Sequence, residues 1–326
     1  MTDLHLADLT GELVMEPNRK GFGKGLLAAG RLNANVVAAC ADLTESTQIS
    51  LFRDEFPERF VEIGVAEQNL VTVGAGLAAI GKIPFVASYA AFSPGRNWEQ
   101  IRTTICLNDR PVKIVGAHTG LYTGKDGATH QMLEDIALMR VLPNMVVMAP
   151  CDSIEAEKMT LAMAADPRPN YMRLAREALP TITTSKTPFE IGTAYVYEKG
   201  SDVTIISTGT MTYQALLAAE KLYKDGIEAE VVHVPTIKPL DTDTVLKSVR
   251  KTGCVVTIEE AQINGGLGGA IAELLGEECP VPLKRIGMQD HFGESGDPAE
   301  LFTHFGLDAK HIVMAAHLVI DRKKSN

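Results

Sequence analysis

The sequence predicts an α/β protein of two domains, each a mainly parallel sheet flanked by helices. Three observations carry that expectation. Short apolar runs alternate with longer stretches of helical composition. Several of the runs are apolar throughout rather than alternating, as strands covered on both faces are. A Thr-rich segment with two prolines, 179–188, separates two such series. At 326 residues, 45% of them hydrophobic, the chain is long enough to build two cores.

In chain order, residues 1–15 form an N-terminal extension and 16–180 a first domain. Its predicted strands are Val36–Cys40, Phe60–Ile63, Pro84–Ser88, Val112–Ala117, Met145–Ala149 and Tyr171–Leu174. Between them helices are expected at Lys20–Ala29, Ala66–Ile80, Arg96–Leu107 and Ile154–Ala164. Residues 181–192 form a linker, and 193–326 a second domain. Its strands are Val203–Ser207, Glu230–Val234, Val255–Ile258 and Leu283–Ile286, with helices at Tyr213–Lys224, Thr242–Arg250 and Gly268–Leu275. There is no internal repeat at a fixed period.

Composition narrows the function classes. A formal net charge of −10, from 41 acidic and 31 basic residues, speaks against a nucleic-acid binder, which carries a basic face. No window reaches the ~18–20 apolar residues of a membrane span, and no signal-peptide core opens the chain. The expected location is cytoplasmic. Five scattered cysteines form no CxxC pair, so neither a zinc site nor a disulfide framework is expected. The glycine-rich 264–269 stretch is read as a tight strand-to-helix turn rather than a nucleotide cradle, because no matching acidic residue for a ribose accompanies it.

The most informative segment is Phe60-Val61-Glu62-Ile63-Gly64-Val65-Ala66-Glu67, which places a carboxylate where a strand gives way to an apolar helix. Glu67 can be a first-turn acid meeting unpaired N–H groups and the helix dipole, or a working acid. Two further clusters follow: Ser88-Tyr89-Ala90-Ala91-Phe92, and a loop from His118 to Gln131 that holds Asp126 and His130.

Taken in this order, the clusters resemble the pyrimidine-binding half of transketolases, which depend on thiamine diphosphate. The resemblance covers almost all of this chain, but only the C-terminal half of a full-length transketolase. It implies a pyrimidine-binding domain followed by a transketolase C-terminal domain. It also assigns Glu67 as the acid that hydrogen-bonds the aminopyrimidine and starts cofactor activation, a task that suits a carboxyl group whose pKa is raised by burial. Tyr89 and Phe92 match the aromatic residues that pack on the pyrimidine ring, and Asp42 matches an acidic residue near the cofactor. Where transketolases carry a third aromatic this chain has Pro94-Gly95-Arg96, and Arg96 resembles an arginine of the related deoxyxylulose-phosphate synthases.

The same resemblance assigns Arg19, Ser46, His118 and Arg176 to the substrate phosphate, a chemically sensible anion clamp. Asp126 falls where the family discriminates the substrate's C2 hydroxyl. His130, twelve positions after His118 as in transketolases, would donate hydrogen bonds or move protons at the reacting sugar. No Gly-Asp-Gly segment for a metal-bound diphosphate is present. The resemblance therefore implies that Mg²⁺ (or Ca²⁺) and the diphosphate are held mainly by a separate N-terminal subunit. It also implies self-association through this chain in an α2β2 assembly acting on sugar phosphates, and no metal ligands in this chain. Two other enzyme readings are the β subunit of a 2-oxo acid dehydrogenase E1 component and a deoxyxylulose-phosphate-synthase-like enzyme. The non-enzyme reading is a regulatory or structural subunit. The second domain is expected to be scaffold, with His233, His291 and His304 structural or surface histidines.

Overall fold

The computed structural model describes residues 4–325; residues 1–3 of the N-terminal extension and residue 326 lie outside the described residues. The first series runs β1 (Met15–Glu16), α1 (Asn18–Leu32), β2 (Val36–Cys40), α2 (Ser50–Glu55), β3 (Phe60–Glu62), α3 (Glu67–Ala79) and β4 (Ile83–Tyr89). It continues with α4 (Trp98–Gln100), β5 (Lys113–Ala117), α5 (Asp135–Arg140), β6 (Val146–Met148), α6 (Ser153–Ala165), β7 (Asn170–Arg173) and β8 (Leu179–Pro180). The second comprises β9 (Tyr195–Glu198), β10 (Val203–Ser207), α7 (Thr212–Lys224), β11 (Ala229–His233), β12 (Thr236–Lys238), α8 (Thr242–Thr252) and β13 (Val255–Gln262). It ends with α9 (Leu267–Glu278), β14 (Leu283–Met288), α10 (Pro298–His304) and α11 (Ala309–Ser325).

Two large sheets result, in the orders β12-β6-β7-β5-β4-β2-β3 and β14-β13-β10-β11-β9, beside a two-stranded antiparallel pair of β1 and β8. Within the two large sheets all pairings are parallel except β12 on β6 and β9 on β11, which are antiparallel edges. The buried runs Val36–Cys40, Lys113–Ala117 and Val203–Ser207 are buried at every position, as interior parallel strands are. Lys113 is the one basic residue in these runs, its Nζ donating to the carbonyls of Asp166 and Arg168 and to Asn170 Oδ1.

The first sheet borrows β12 from the second half of the chain, which sequence patterning did not foresee. One core cluster is correspondingly shared, with Leu70, Ile136 and Tyr171 from one half packed with Val232, Ile237 and Leu267 from the other. The linker is also pinned. Asp152, which caps α6 through Glu155 N, accepts from Ile182 N, Thr183 N and the Thr183 hydroxyl.

The helix expected over Arg96–Leu107 is a single α-turn that widens into π-turns over Ile101–Cys106. The cause is local: the Thr103 and Thr104 hydroxyls bond back to the carbonyls of Glu99 and Gln100 and compete with the backbone ladder.

Candidate active site

Most of the predicted site residues lie at or just past the C-terminal ends of parallel strands, the edge where such sheets gather ligands. Asp42 and Ser46 follow β2, Glu67 follows β3, Tyr89 ends β4 with Phe92 and Arg96 beyond it, and His118, Asp126 and His130 follow β5. Arg176 follows β7, and Arg19 reaches in from the first turn of α1.

Glu67 is the first residue of α3 and is only 2% exposed. Arg96 Nη1 donates to its Oε2 at 3.1 Å. Asn97, fully buried, donates to the Glu67 carbonyl at 2.8 Å and to Ser93 Oγ at 3.0 Å, stitching the Phe92–Arg96 loop to the start of α3. Glu62 organises the opposite side. Its carboxylate accepts from Asp42 N, Gly64 N and the Thr44 hydroxyl, fixing the loops after β2 and β3 together. Neither Asn97 nor Glu62 stood out in the sequence, since a polar residue in a loop or at the end of a short strand has no periodic signature.

The ring cluster is continuous. Tyr89 stacks on His118 with centroids 3.7 Å apart and on Phe92 at 6.0 Å, while His130 meets the Tyr89 and Phe92 rings edge-on at 6.2 and 5.5 Å. The Arg96 guanidinium lies 5.7 Å from the Phe92 centroid. His118 is buried in the left-handed region with φ of 57°, and its Nδ1 has no hydrogen-bond partner among the described residues. Burial, then the charges of Arg19, Arg176 and His130, push its imidazole down to about 3, so it is neutral at pH 7. Asp42 is likewise left-handed, at φ 59°. Such non-glycine positions at strand ends are often functional.

The proposed anion residues are joined directly. Arg19 Nη1 donates to the Ser46 carbonyl at 2.6 Å and Nε to the Arg176 carbonyl at 3.1 Å. Arg176 Nη1 reaches the Thr123 carbonyl at 3.1 Å and Asp126 Oδ1 at 3.3 Å. Burial lowers the Arg19 guanidinium, and Arg176 adds to the effect. A cleft of about 720 Å³ lies beside Asp126 and Arg176, and Tyr213, Pro298 and Phe302 of the second half also line it.

The second domain contributes buried polar groups that the sequence reading did not single out. Glu259 accepts from Leu267 N and Gly268 N at 2.8 and 2.7 Å, so the start of α9 is capped by an internal carboxylate. A Cβ on Gly266 would fall 2.0 Å from that carboxylate. The place a nucleotide phosphate would take at this glycine-rich turn is thus filled. Burial pushes both Glu259 and Glu260 up to about 7. His233 is structural, its Nε2 against Glu155 at 3.0 Å and Nδ1 against the Thr212 hydroxyl at 2.8 Å. With Cys151 these form a buried group close enough to share an ion, but the Glu155 and His233 polar atoms already satisfy one another. No helix among the described residues is long and apolar enough to cross a membrane.

Residues 17–181 match the transketolase pyrimidine-binding domain and 192–312 the transketolase C-terminal domain. Those two matches, on this fold, define the chain as a subunit of the thiamine-diphosphate-dependent class of enzymes. It is 44% identical over 298 residues to the 6-deoxy-6-sulfo-D-fructose transketolase subunit SqwH of Clostridium sp. (strain MSTE9), covering 91% of this chain and 92% of that one. It is also 44% identical over 309 residues to a putative transketolase C-terminal section of Methanocaldococcus jannaschii, covering 94% and 96%. A solved split-gene transketolase, described as an inactive β4 tetramer, superposes with a TM-score of 0.89 at 43% identity, covering 94% of this chain and 99% of that one. The chain belongs to the transketolase family, within which it is the C-terminal subunit of a split enzyme.

Proposed function

We propose that this chain supplies the cofactor-activating and sugar-recognising half of a two-subunit transketolase, assembled as α2β2 with an N-terminal subunit that holds the diphosphate and its Mg²⁺ (or Ca²⁺). The observation that carries the proposal is the buried Glu67 carboxylate at the start of α3, with Arg96 at its side and the Tyr89–Phe92 rings in the same strand-end region. That donor set fits an aminopyrimidine: a carboxyl for a ring nitrogen and aromatic faces for the ring. Thiamine diphosphate, when bound, supplies the carbon nucleophile that accepts the two-carbon ketol unit.

This chain's residues have separate tasks. Glu67 holds a proton at a ring nitrogen, and Arg96 limits where its carboxylate can swing. Tyr89 and Phe92 orient the ring, and Asp42 sits on the neighbouring loop. His130, its Nδ1 at 2.9 Å from the Thr129 hydroxyl, donates to or removes protons from the sugar oxygens. Asp126 orients a sugar hydroxyl. Arg19, Ser46, His118 and Arg176 hold the phosphate, with His118 as a neutral donor beside the two cations. The domain limits 16–180 and 193–326 belong to the same proposal, with β12 crossing between them.

Support for a separate partner comes from the one-sided chemistry of the chain and from its surface. Val65 and Ile80, on either side of α3, are exposed at 69% and 73%, and Leu107 at 75%. Apolar exposure of that kind suits burial in an assembly. The similar β4 tetramer is described as inactive. The test is to assay ketol transfer between sugar phosphates by the purified chain, by a candidate N-terminal subunit and by their mixture, with cofactor and Mg²⁺ present. Activity is expected only in the mixture. Tight cofactor binding and full turnover by this chain alone would defeat the proposal.

A further inference from the structure

The loop that carries Asp126 and His130 makes its own turns, with His130 N and Gln131 N on the Gly127 carbonyl and the Thr123 hydroxyl on the His118 carbonyl, and the second domain braces it from outside. Glu260, at the C-terminal end of β13, is fully buried, and its Oε1 accepts from Tyr122 N at 2.7 Å while Oε2 accepts from the Thr210 hydroxyl at 2.6 Å. Gly120 adopts φ of 64°, and a Cβ there would lie 2.3 Å from Glu260 Oε1. The loop therefore turns at a glycine because this carboxylate stands against it. The carboxylate is anchored from below: Arg173 Nη2 donates to the Glu260 carbonyl at 3.1 Å, and Arg173 is itself paired with buried Asp135 at 3.1 Å. Further along, Gln131 Nε2 bridges the Gly124 and Glu294 carbonyls at 3.0 and 2.8 Å, and the Tyr122 ring packs edge-on against Phe302 at 4.9 Å.

We infer that Glu260 is a positioning residue for the substrate loop 118–131, so that the second domain sets the geometry with which Asp126 and His130 meet the sugar. This rests on the function proposed above and deepens it. Misplacing reacting or orienting groups by about an ångström can cost on the order of 10²-fold in rate, and an unpartnered buried Tyr122 N–H would drive the loop to seek another acceptor.

Two substitutions separate positioning from mere stability. Glu260→Gln keeps both contacts, since its amide oxygen accepts from Tyr122 N and its amide nitrogen donates to the Thr210 hydroxyl, which can act as acceptor. Glu260→Ala removes both. In the assembled two-subunit enzyme, Glu260→Ala should lower kcat/KM for the sugar phosphate donor on the order of 10²-fold, through kcat as well as KM, and Glu260→Gln should restore it. Tryptic cleavage after exposed Lys125, followed by mass spectrometry, reads loop order without any turnover; it should accelerate in Glu260→Ala and not in Glu260→Gln. Unchanged cleavage in Glu260→Ala, or faster cleavage with an unaltered kcat/KM, would overturn the inference. So would equal damage by both substitutions. Absence of ketol transfer by the unsubstituted complex would instead remove the proposed function, while the cleavage assay still reports on the loop.

Discussion

Glu67→Gln should abolish turnover while leaving the fold and the assembly almost intact, and the structure says why the two effects separate. Among the described residues, the Glu67 side chain takes its one hydrogen bond from Arg96 Nη1, at 3.1 Å, and Arg96 is 56% exposed. A half-exposed guanidinium recovers hydration when its partner changes, so the lost charge pairing costs about 1 kcal/mol or less. The glutamine carbonyl oxygen can still accept the same bond. Asn97 binds the main-chain carbonyl of residue 67, which the substitution does not touch. The expected loss of thermal stability is therefore a few degrees at most. Loss of a positioned proton donor, by contrast, lowers the rate about 10²–10⁴-fold. The assay is steady-state ketol transfer by the two-subunit complex, with its size and melting temperature measured on the same samples. Turnover near the unsubstituted level would remove Glu67 from its role. A complex that fails to assemble would make Glu67 a structural residue.

Arg176→Ala should raise the KM for phosphorylated donors about 10–100-fold, the worth of a charge-assisted bond, and change that for unphosphorylated donors much less; equal effects would mark a structural arginine. His118, lowered to about 3 by burial and then by its cationic neighbours, should show no NMR titration between pH 5 and 8. Because its folded pKa is depressed, its contribution to stability is present above pH 6.5 and is lost as the pH falls toward 3. Near pH 5 the loss is about 2 kcal/mol, and denaturant melts of His118→Gln should lack it. Glu259 has the opposite sign: its folded pKa is raised from 4.5 to about 7, chiefly by burial, so its contribution is full below pH 4.5 and is lost as the pH rises to 7. That slope is on the order of 3 kcal/mol, and it should be missing from Glu259→Gln; an unchanged slope would place the titration elsewhere.

The parallel architecture was legible because buried strands such as Val36–Cys40 and Val203–Ser207 announce themselves as continuous apolar runs between helical segments. The start of α3 was equally plain, since Glu67 follows a short strand and opens a helix of small apolar residues. The residues that hold the site were not. Asn97, Glu62 and Glu260 act through main-chain groups 20 to 138 positions away, and such contacts leave no local pattern. β12 escaped notice because three residues beside Pro235 and Pro239 look like a turn until β6 offers an edge. The short helices α2, α5 and α10 are fixed by packing rather than by propensity.

The two halves of this chain should not survive being cut apart at 181–192, although the linker looks like a natural boundary. β12 pairs with β6 through Thr236–Met148 and Lys238–Val147, so a 1–192 fragment would leave β6 as a bare edge. The shared core would lose Val232, Val234, Ile237, Val245 and Leu267, all at most 1% exposed in the intact chain. At about 1.5–3 kcal/mol for each buried side chain, that loss is comparable to the ~5–15 kcal/mol by which a domain is stable at all. Glu155 would also lose its contact with the His233 imidazole and remain a buried carboxylate with one partner fewer, which is destabilising. Each fragment, expressed separately, should therefore lack a cooperative thermal transition or aggregate, whereas the two co-expressed should reassociate. A 1–192 fragment that is monomeric and melts like the intact chain would show that the borrowed strand and shared core contribute little, and with them the claim that the second domain shapes the substrate loop would weaken.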